Sequence, residues 1–215
     1  MNARFMDVEL LVERGVLVPR EETELLGNTA LEVVHDNARV IDMCCGSGNL
    51  ACALATRLPR ARIWACDLTD ACVALARRNA VFANVQDRVV VAQGDLFAGL
   101  SGHGLEGWID AVVCNPPYIS QAKLAGERAA LLENEPREAF DGGPYGLSIH
   151  QRMVKEALPF LKPGGSLLFE IGLGQERQVK MLFERTRAYE DIRTVANATG
   201  EVRVVAARKI NPRGN

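Results

Sequence analysis

Short apolar runs alternate along the chain with segments whose apolar residues recur at helical spacing. Arg39-Val40-Ile41-Asp42-Met43 is the first such run, and Ala61–Cys66, Arg88–Ala92, Ile109–Cys114 and Ser166–Ile171 repeat it. Runs this short, bounded by turn residues, predict strands buried on both faces. The intervening segments predict helices. Glu22–His35 follows Pro19 and carries Leu25, Leu26 and Leu31, while Leu50, Leu54 and Leu58 stand at i, i+4 and i+8. Thr69-Asp70 can cap a helix that runs to about Phe82. Leu147–Leu161 presents Leu147, Val154, Leu158 and Leu161 on one face and meets a stop at Pro163-Gly164-Gly165. Gln175–Arg185 is a further helix, and Ile192–Val195 with Val202–Ala207 predicts a closing hairpin. Strands alternating with helices predict an α/β fold, a largely parallel sheet covered on both faces. Right-handed crossovers narrow its topology.

One stretch breaks the rhythm. Residues 116–146 hold Pro116, Pro117, Pro136 and Pro144 with Gly126, Gly142, Gly143 and Gly146. A connection this long is usually functional or disordered, and its middle, Lys123–Leu132, predicts a short helix. The chain has 215 residues, 48% of them hydrophobic, enough for one sizeable core. Its net charge of -2 and the absence of any Lys/Arg run longer than two disfavour a nucleic-acid partner. Six cysteines without a C-x-x-C pair, and three scattered histidines, disfavour zinc. The first fifteen residues lack the apolar core of a secretory signal, and no stretch approaches the ~20 apolar residues of a membrane span. These features predict a reduced, cytoplasmic protein with no membrane partner; they leave the oligomeric state open.

In a doubly wound sheet, ligands bind beyond the carboxyl ends of the strands where the strand order reverses. Four segments fall there: Met43–Gly48, Cys66-Asp67, Gly94-Asp95 and Asn115–Tyr118. Asp42-Met43-Cys44-Cys45-Gly46-Ser47-Gly48 follows a strand and opens a helix, with Gly46 and Gly48 allowing a tight turn and close ligand approach. Asp67 ends the second strand, where an acid can hydrogen-bond ribose hydroxyls. Glycine turn plus ribose acid suits either a nicotinamide dinucleotide or another nucleoside cofactor, and Ala51, third in the G-x-G-x-x-A spacing, leaves both open. Asp95-Leu96-Phe97 can receive and pack an adenine; the plain alternative is a capped turn with core residues.

The fourth strand separates the two cofactor classes. Asn115-Pro116-Pro117-Tyr118 sets a polar residue and two prolines at a strand end. Proline fixes φ, so the turn is stiff and can aim the Asn115 side-chain oxygen and the Pro116 carbonyl at one point. Two acceptors suit an NH2 group with two hydrogens and leave the nitrogen lone pair facing an electrophile. Tyr118 can cover a planar group by stacking. The chemistry is positioning rather than acid–base catalysis.

With these pieces in order, the sequence resembles the protein-(glutamine-N5) methyltransferases that modify peptide-chain release factors. The matching pieces span about Val16–Lys209: Val18-Pro19-Arg20-Glu21-Glu22-Thr23-Glu24, Asp42–Gly48, Asp67, Asp95-Leu96-Phe97, Asn115–Ile119, Glu135-Pro136, Gly142-Gly143, Gly146-Leu147, Pro163–Gly165 and Glu170-Ile171-Gly172. The resemblance implies a Rossmann-like, doubly wound seven-stranded sheet, mostly parallel with a C-terminal antiparallel hairpin, and S-adenosylmethionine as cofactor. It implies cofactor contacts from Asp42, Cys44, Gly46, Ser47, Gly48, Asp67, Leu68, Asp95, Leu96, Phe97 and Asn115. Asn115, Pro116, Pro117 and Tyr118 would hold a glutamine amide, and Arg20, Glu22, Thr23, Tyr118 and Glu135 would meet the substrate. The first glycine of the family's turn is Cys44 here, and Tyr145 stands where an aspartate is frequent. Family members usually carry a helical domain before the Val-Pro-Arg segment. Here about 17 residues precede it, so residues 1–18 are expected as a short extension and 19–215 as the methyltransferase domain. The substrate readings are a release-factor glutamine, a small-molecule amide, amine or guanidine, and, third, a nucleic-acid base. A cofactor-binding module without catalysis is the alternative from another class.

Overall fold

The computed structural model describes residues 2–126, 128–133 and 135–211. Its strands are β1 (Asn2–Phe5), β2 (Val8–Leu11), β3 (Arg39–Met43), β4 (Arg62–Asp67), β5 (Val89–Gln93), β6 (Ile109–Cys114), β7 (Leu161–Glu170), β8 (Tyr189–Ala196) and β9 (Val202–Lys209). Its α-helices are α1 (Glu24–Val33), α2 (Asn49–Arg57), α3 (Asp70–Phe82), α4 (Gln121–Ala125), α5 (Ser148–Glu156) and α6 (Glu176–Thr186). Seven strands form one sheet in the order β5-β4-β3-β6-β7-β9-β8. The first five of that order run parallel, and β9 is antiparallel to both β7 and β8. The fold is the α/β sheet with a C-terminal antiparallel hairpin that the apolar runs predict.

β3 shows why those runs make central strands. Val40 faces one apolar cluster, built with α1 and α2, while Ile41 and Met43 face another, built with α5 and α6. All three are fully buried. Burying a side chain of this size contributes about 1.5–3 kcal/mol, so a strand covered on both faces needs an unbroken apolar run. The chain leaves β3 for β4 and β5 on one side, then returns to place β6 on the other. The carboxyl ends of β3 and β6 therefore stand together at the reversal, with Met43 opposite Cys114 in register. The next residues, Cys44 and Asn115, begin the two motifs.

Thr69 caps α3 as expected, its hydroxyl accepting from the Cys72 N–H at 3.3 Å. Other boundaries differ. The first predicted helix resolves into a short 3-10 turn, Glu21–Thr23, followed by α1. The predicted Leu147–Leu161 helix ends at Glu156, because Leu161 already pairs with Ile109 in the sheet. Pro163-Gly164-Gly165 then lies within β7 rather than before it: Ala111 next pairs with Ser166, so the intervening residues bulge out, Gly164 at φ +76°. The predicted Lys123–Leu132 helix divides into α4 and a 3-10 segment, Ala129–Glu133; its Glu127 lies outside the described residues, as do residues 212–215 of the expected domain. The antiparallel hairpin β1–β2 has no counterpart in the sequence reading; Phe5, Met6, Val8 and Leu10 enter the same apolar cluster as α2. Among the described residues no helix is long and apolar enough to cross a membrane. All six cysteines are free thiols.

Candidate active site

The turn between β3 and α2 is built around left-handed backbone. Gly46 has φ +53° and Gly48, the N-cap of α2, has φ +76°. A Cβ on Gly48 would meet Ala76 Cβ at 3.0 Å, so that glycine also lets α3 approach. A Cβ on Gly46 would meet nothing within 4 Å; its open side faces the space where a ligand would sit. Cys44 holds φ +57°, a conformation that costs an L-residue roughly 1–2 kcal/mol.

Hydrogen bonds lock this turn to its neighbours. Cys45 N–H donates to Cys66 O at 3.1 Å and Gly46 N–H to Asp67 Oδ2 at 2.8 Å. Asp67 Oδ1 accepts from Thr69 N–H at 3.2 Å. Fully buried Asn79 in α3 donates to Ser47 O at 2.9 Å and to Leu11 O at 3.1 Å, tying the turn to the N-terminal hairpin. Asp42 Oδ2 accepts from Ala51 N–H at 2.9 Å, but its buried Oδ1 has no partner among the described residues. Burial, with the Asp67 charge adding, pushes the Asp42 carboxyl up to about 8.

At the end of β6 the stiff Asn-Pro-Pro-Tyr turn stands beside the glycine turn. The Asn115 side chain donates from Nδ2 to Thr23 Oγ1 at 3.1 Å, and no donor among the described residues engages its Oδ1. Among the described residues no donor engages the Pro116 carbonyl. A narrow pocket of about 30 Å³ lies over the glycine turn, reaching Asp42, Cys44, Gly46 and Ser47. A cleft of about 600 Å³ opens on the other side, between Tyr118, Ile119, Tyr145, Glu170, Leu173 and Arg203. Asn115, Leu17 and Arg20 line both.

The remaining motifs support that wall. Tyr118 O–H donates to Glu170 Oε1 at 3.2 Å, and Arg203 Nη2 donates to the Tyr118 oxygen at 3.2 Å and to Glu22 at 3.3 Å. Burial and the Glu170 charge raise the Tyr118 phenol above its ordinary value, so it stays a donor. Glu170, 1% exposed, is raised by burial, while the Thr23 hydroxyl, Arg203 and Tyr118 draw it back down. Gly142 lets its loop touch the turn: a Cβ there would lie 2.7 Å from Pro117 O and 2.9 Å from Tyr118 Cα. Gln175 Nε2 donates to Tyr118 O at 3.0 Å and to Gly146 O at 3.2 Å, clamping the two segments together.

The sequence-predicted residues divide by place. Asp42, Cys44, Gly46, Ser47 and Asp67 gather at the glycine turn. Leu68, 56% exposed, follows Asp67, its carbonyl held by Gln93. Asp95 sits apart, ion-paired with Arg152 at 2.7 Å. Leu96 is buried at φ +50°, and buried Phe97 packs on Phe160 with ring centroids 4.8 Å apart, within the core. Glu22 and Tyr118 face the cleft. Glu135 accepts from Val18 N–H at 3.0 Å and pairs with Arg20, bracing the Val-Pro-Arg segment. Thr23 is 1% exposed and lies beneath Asn115. Sequence reasoning missed Asn79, Gln175 and Arg203. A charged residue inside the apolar run Val202–Ala207 was the available signal for Arg203; Asn79 and Gln175 gave none.

The glycine turn, the strand-end acid and the stiff Asn-Pro-Pro-Tyr turn at the reversal of the sheet define a class of α/β proteins that bind a nucleoside cofactor. Residues 22–143 match the family model described as methyltransferase small domain. A release factor glutamine methyltransferase from Moorella thermoacetica is 38% identical over 208 residues, 96% of this chain and 72% of that protein. Its counterpart from Geobacter sulfurreducens is 37% identical over 204 residues, 95% and 69%. Among solved structures, a methyltransferase from Pyrococcus furiosus superposes with a TM-score of 0.67 at 15% identity, over 94% of this chain and 89% of that one. An RNA methyltransferase from Salinibacter ruber, in complex with S-adenosyl-L-homocysteine, gives 0.58 at 19%, over 93% and 97%. The chain belongs to the release factor glutamine methyltransferase family.

Proposed function

We propose that this protein transfers a methyl group from S-adenosylmethionine to a planar side-chain amide nitrogen, that of a glutamine in a peptide-chain release factor. The observation that carries the reading is Asn115: it lines both the glycine-turn pocket and the wide cleft, with its amide nitrogen occupied by Thr23 and its oxygen unpaired among the described residues.

The residues present fit the cofactor. The Asp67 carboxylate would accept from ribose hydroxyls, and Leu68 and Leu96 would pack against a base. Gly46 leaves room for a close approach, and Asp42 Oδ1 is a buried polar atom, unpaired among the described residues, that a polar group of the cofactor would satisfy. Bound there, the cofactor would supply an electrophilic methyl group, its sulfonium sulfur keeping the bonding pair as a neutral thioether. Asn115 Oδ1 and the Pro116 carbonyl accept the two N–H bonds of the amide nitrogen and leave its lone pair facing the glycine turn. Tyr118, its hydroxyl held by Glu170 and Arg203, covers the amide plane. As the carbon–nitrogen bond forms, the nitrogen becomes acidic and releases one proton to water in the open cleft, so no side chain need act as a base beforehand. The contribution is orientation, which can be worth several powers of ten in rate.

Incubation with cofactor and a release factor, followed by peptide mass spectrometry, tests the reading. A single methyl on a glutamine amide is expected, and Asn115→Ala is expected to lose turnover by orders of magnitude while cofactor binding changes far less. Methylation of a small-molecule amide panel with none on the release factor would overturn the substrate assignment; full turnover in Asn115→Ala would overturn the role of the site.

A further inference from the structure

The Thr23 hydroxyl lies between two polar groups of unequal character. On one side is Asn115 Nδ2, 3.1 Å away. On the other is the Glu170 carboxylate, and Thr23 is the largest of the influences that draw that carboxyl down against its burial. Glu170 Oε1 is already engaged by Tyr118 at 3.2 Å and Arg203 at 3.4 Å. Oε2 is enclosed and makes no hydrogen bond of ordinary geometry among the described residues. A hydroxyl has one proton to give, and an ionised carboxylate only accepts. Thr23 Oγ1 accepts from Asn115 Nδ2 in this fold, and the neighbouring Glu170 carboxylate, which cannot donate to the hydroxyl, favours that direction. Only the NH2 edge of the Asn115 amide can face an acceptor, so Oδ1 must point the other way, toward the space shared by the pocket and the cleft. Without such a partner an amide has no preference between its two flipped states, and the flipped state would set an NH2 group against the N–H bonds of an incoming amide.

We propose that Thr23 is a positioning residue for methyl transfer: its hydroxyl, accepting from Asn115 Nδ2, determines which end of the Asn115 amide faces the substrate. The inference rests on the reading of Asn115 as the holder of the substrate nitrogen. It also gives a reason for two distant segments, the one around Thr23 and the Glu170-Ile171-Gly172 strand end, to accompany the Asn-Pro-Pro-Tyr turn.

Two variants and two readouts test it in the full chain. Thr23→Val keeps the side-chain shape and removes the hydroxyl, while Thr23→Ser keeps the hydroxyl. The first readout needs no substrate: the side-chain NH2 signals of Asn115 in nitrogen-15-labelled protein, identified by their loss in Asn115→Ala. Slow exchange with solvent is expected in the wild type and Thr23→Ser, and fast exchange in Thr23→Val. The second is methyl transfer to a release factor. There kcat is expected to fall roughly 10- to 100-fold in Thr23→Val, to recover in Thr23→Ser, and cofactor affinity by calorimetry to stay unchanged in both. Wild-type exchange and wild-type kcat in Thr23→Val would overturn the proposal. So would a loss of cofactor binding in step with kcat, which marks a structural prop. Should Thr23→Val not fold, Thr23→Ala carries the test through the same NH2 signals, where faster exchange supports the proposal and unchanged exchange overturns it. If the wild type leaves the release factor unmethylated, the substrate reading fails, and the exchange measurement still decides the role of Thr23.

Discussion

Asp42 carries a carboxyl group where almost no water reaches it. One oxygen receives the Ala51 N–H, but the other has no partner among the described residues, and burial pushes the group up to about 8 from an ordinary 3.8. Between those two values the folded chain keeps the proton that the unfolded chain has released. Stability contributed by the protonated form is therefore present below about 4 and lost as pH rises through about 8. Asp42→Asn keeps the acceptor for Ala51 and cannot ionise. Thermal unfolding between pH 6.5 and pH 8 is expected to show a downward slope in the wild type that is shallower in Asp42→Asn; parallel slopes would mean that Asp42 is ionised in the fold at pH 6.5 already. The same residue shows how far sequence goes at this scale. That an acid ends the first apolar run is legible; that one of its oxygens would be left unpaired is a property of the packing around it.

The element that decides the site is the loop from Pro116 to Leu147. Its glycines read, in the sequence, as loop composition. In the fold they are points of contact: Gly142 packs on Pro117 and Tyr118, and Gly146, at φ +72°, lies against the Tyr118 carbonyl and within reach of Gln175. A Cβ on Gly146 would come closer to the Tyr118 oxygen than real Cβ contacts do, in a backbone conformation that L-residues avoid. Gly146→Ala is expected to destabilise the chain by about 1–3 kcal/mol in denaturant unfolding and to lower methyl transfer further, because the Tyr118 wall shifts. A variant with wild-type stability would show that the loop relaxes freely. Helix boundaries in this region were the least legible. Lys123–Leu132 has helical composition, but the backbone breaks at Gly126 (φ −116°, ψ −102°) and the segment divides. The β1–β2 hairpin was not legible at all. Each of its strands is four residues long, too short for a period to register, and it is held in part by Asn79, 68 residues away from Leu11.

At the scale of the molecule, the two apolar layers and the sheet between them enclose a titratable group with no direct part in the chemistry. His150 in α5 is fully buried, Nε2 at 3.1 Å from Glu170 O, its ring edge-on to Phe169. Burial lowers it to about 4 from 6.5, so the fold holds it neutral. Below about 6.5 the unfolded chain takes up a proton that the folded chain refuses. Stability from this group is present above that value and is lost as pH falls toward about 4. Acid unfolding followed by circular dichroism is expected to show this limb, flattened in His150→Gln; an identical acid limb in the variant would assign the loss to other groups. Because His150 bonds the strand end that carries Glu170, its protonation is expected to disturb the cleft as the fold loosens.

Local chemistry determined much of this protein from the sequence alone. Continuous apolar runs specify two-sided strands wherever they occur, helical spacing specifies the covering layers, and alternation of the two specifies a doubly wound sheet whose ligands gather at the reversal. Proline stiffness and glycine freedom likewise mark the two turns of the site without knowledge of their surroundings. Only the tertiary structure decided which side chains hold those turns in place. Arg203, Glu170, Thr23, Gln175 and Asn79 act across separations of 29 to 92 residues. No window of sequence contains both partners of any such bond, and burial, which gives each polar contact its weight, exists only once the layers have closed.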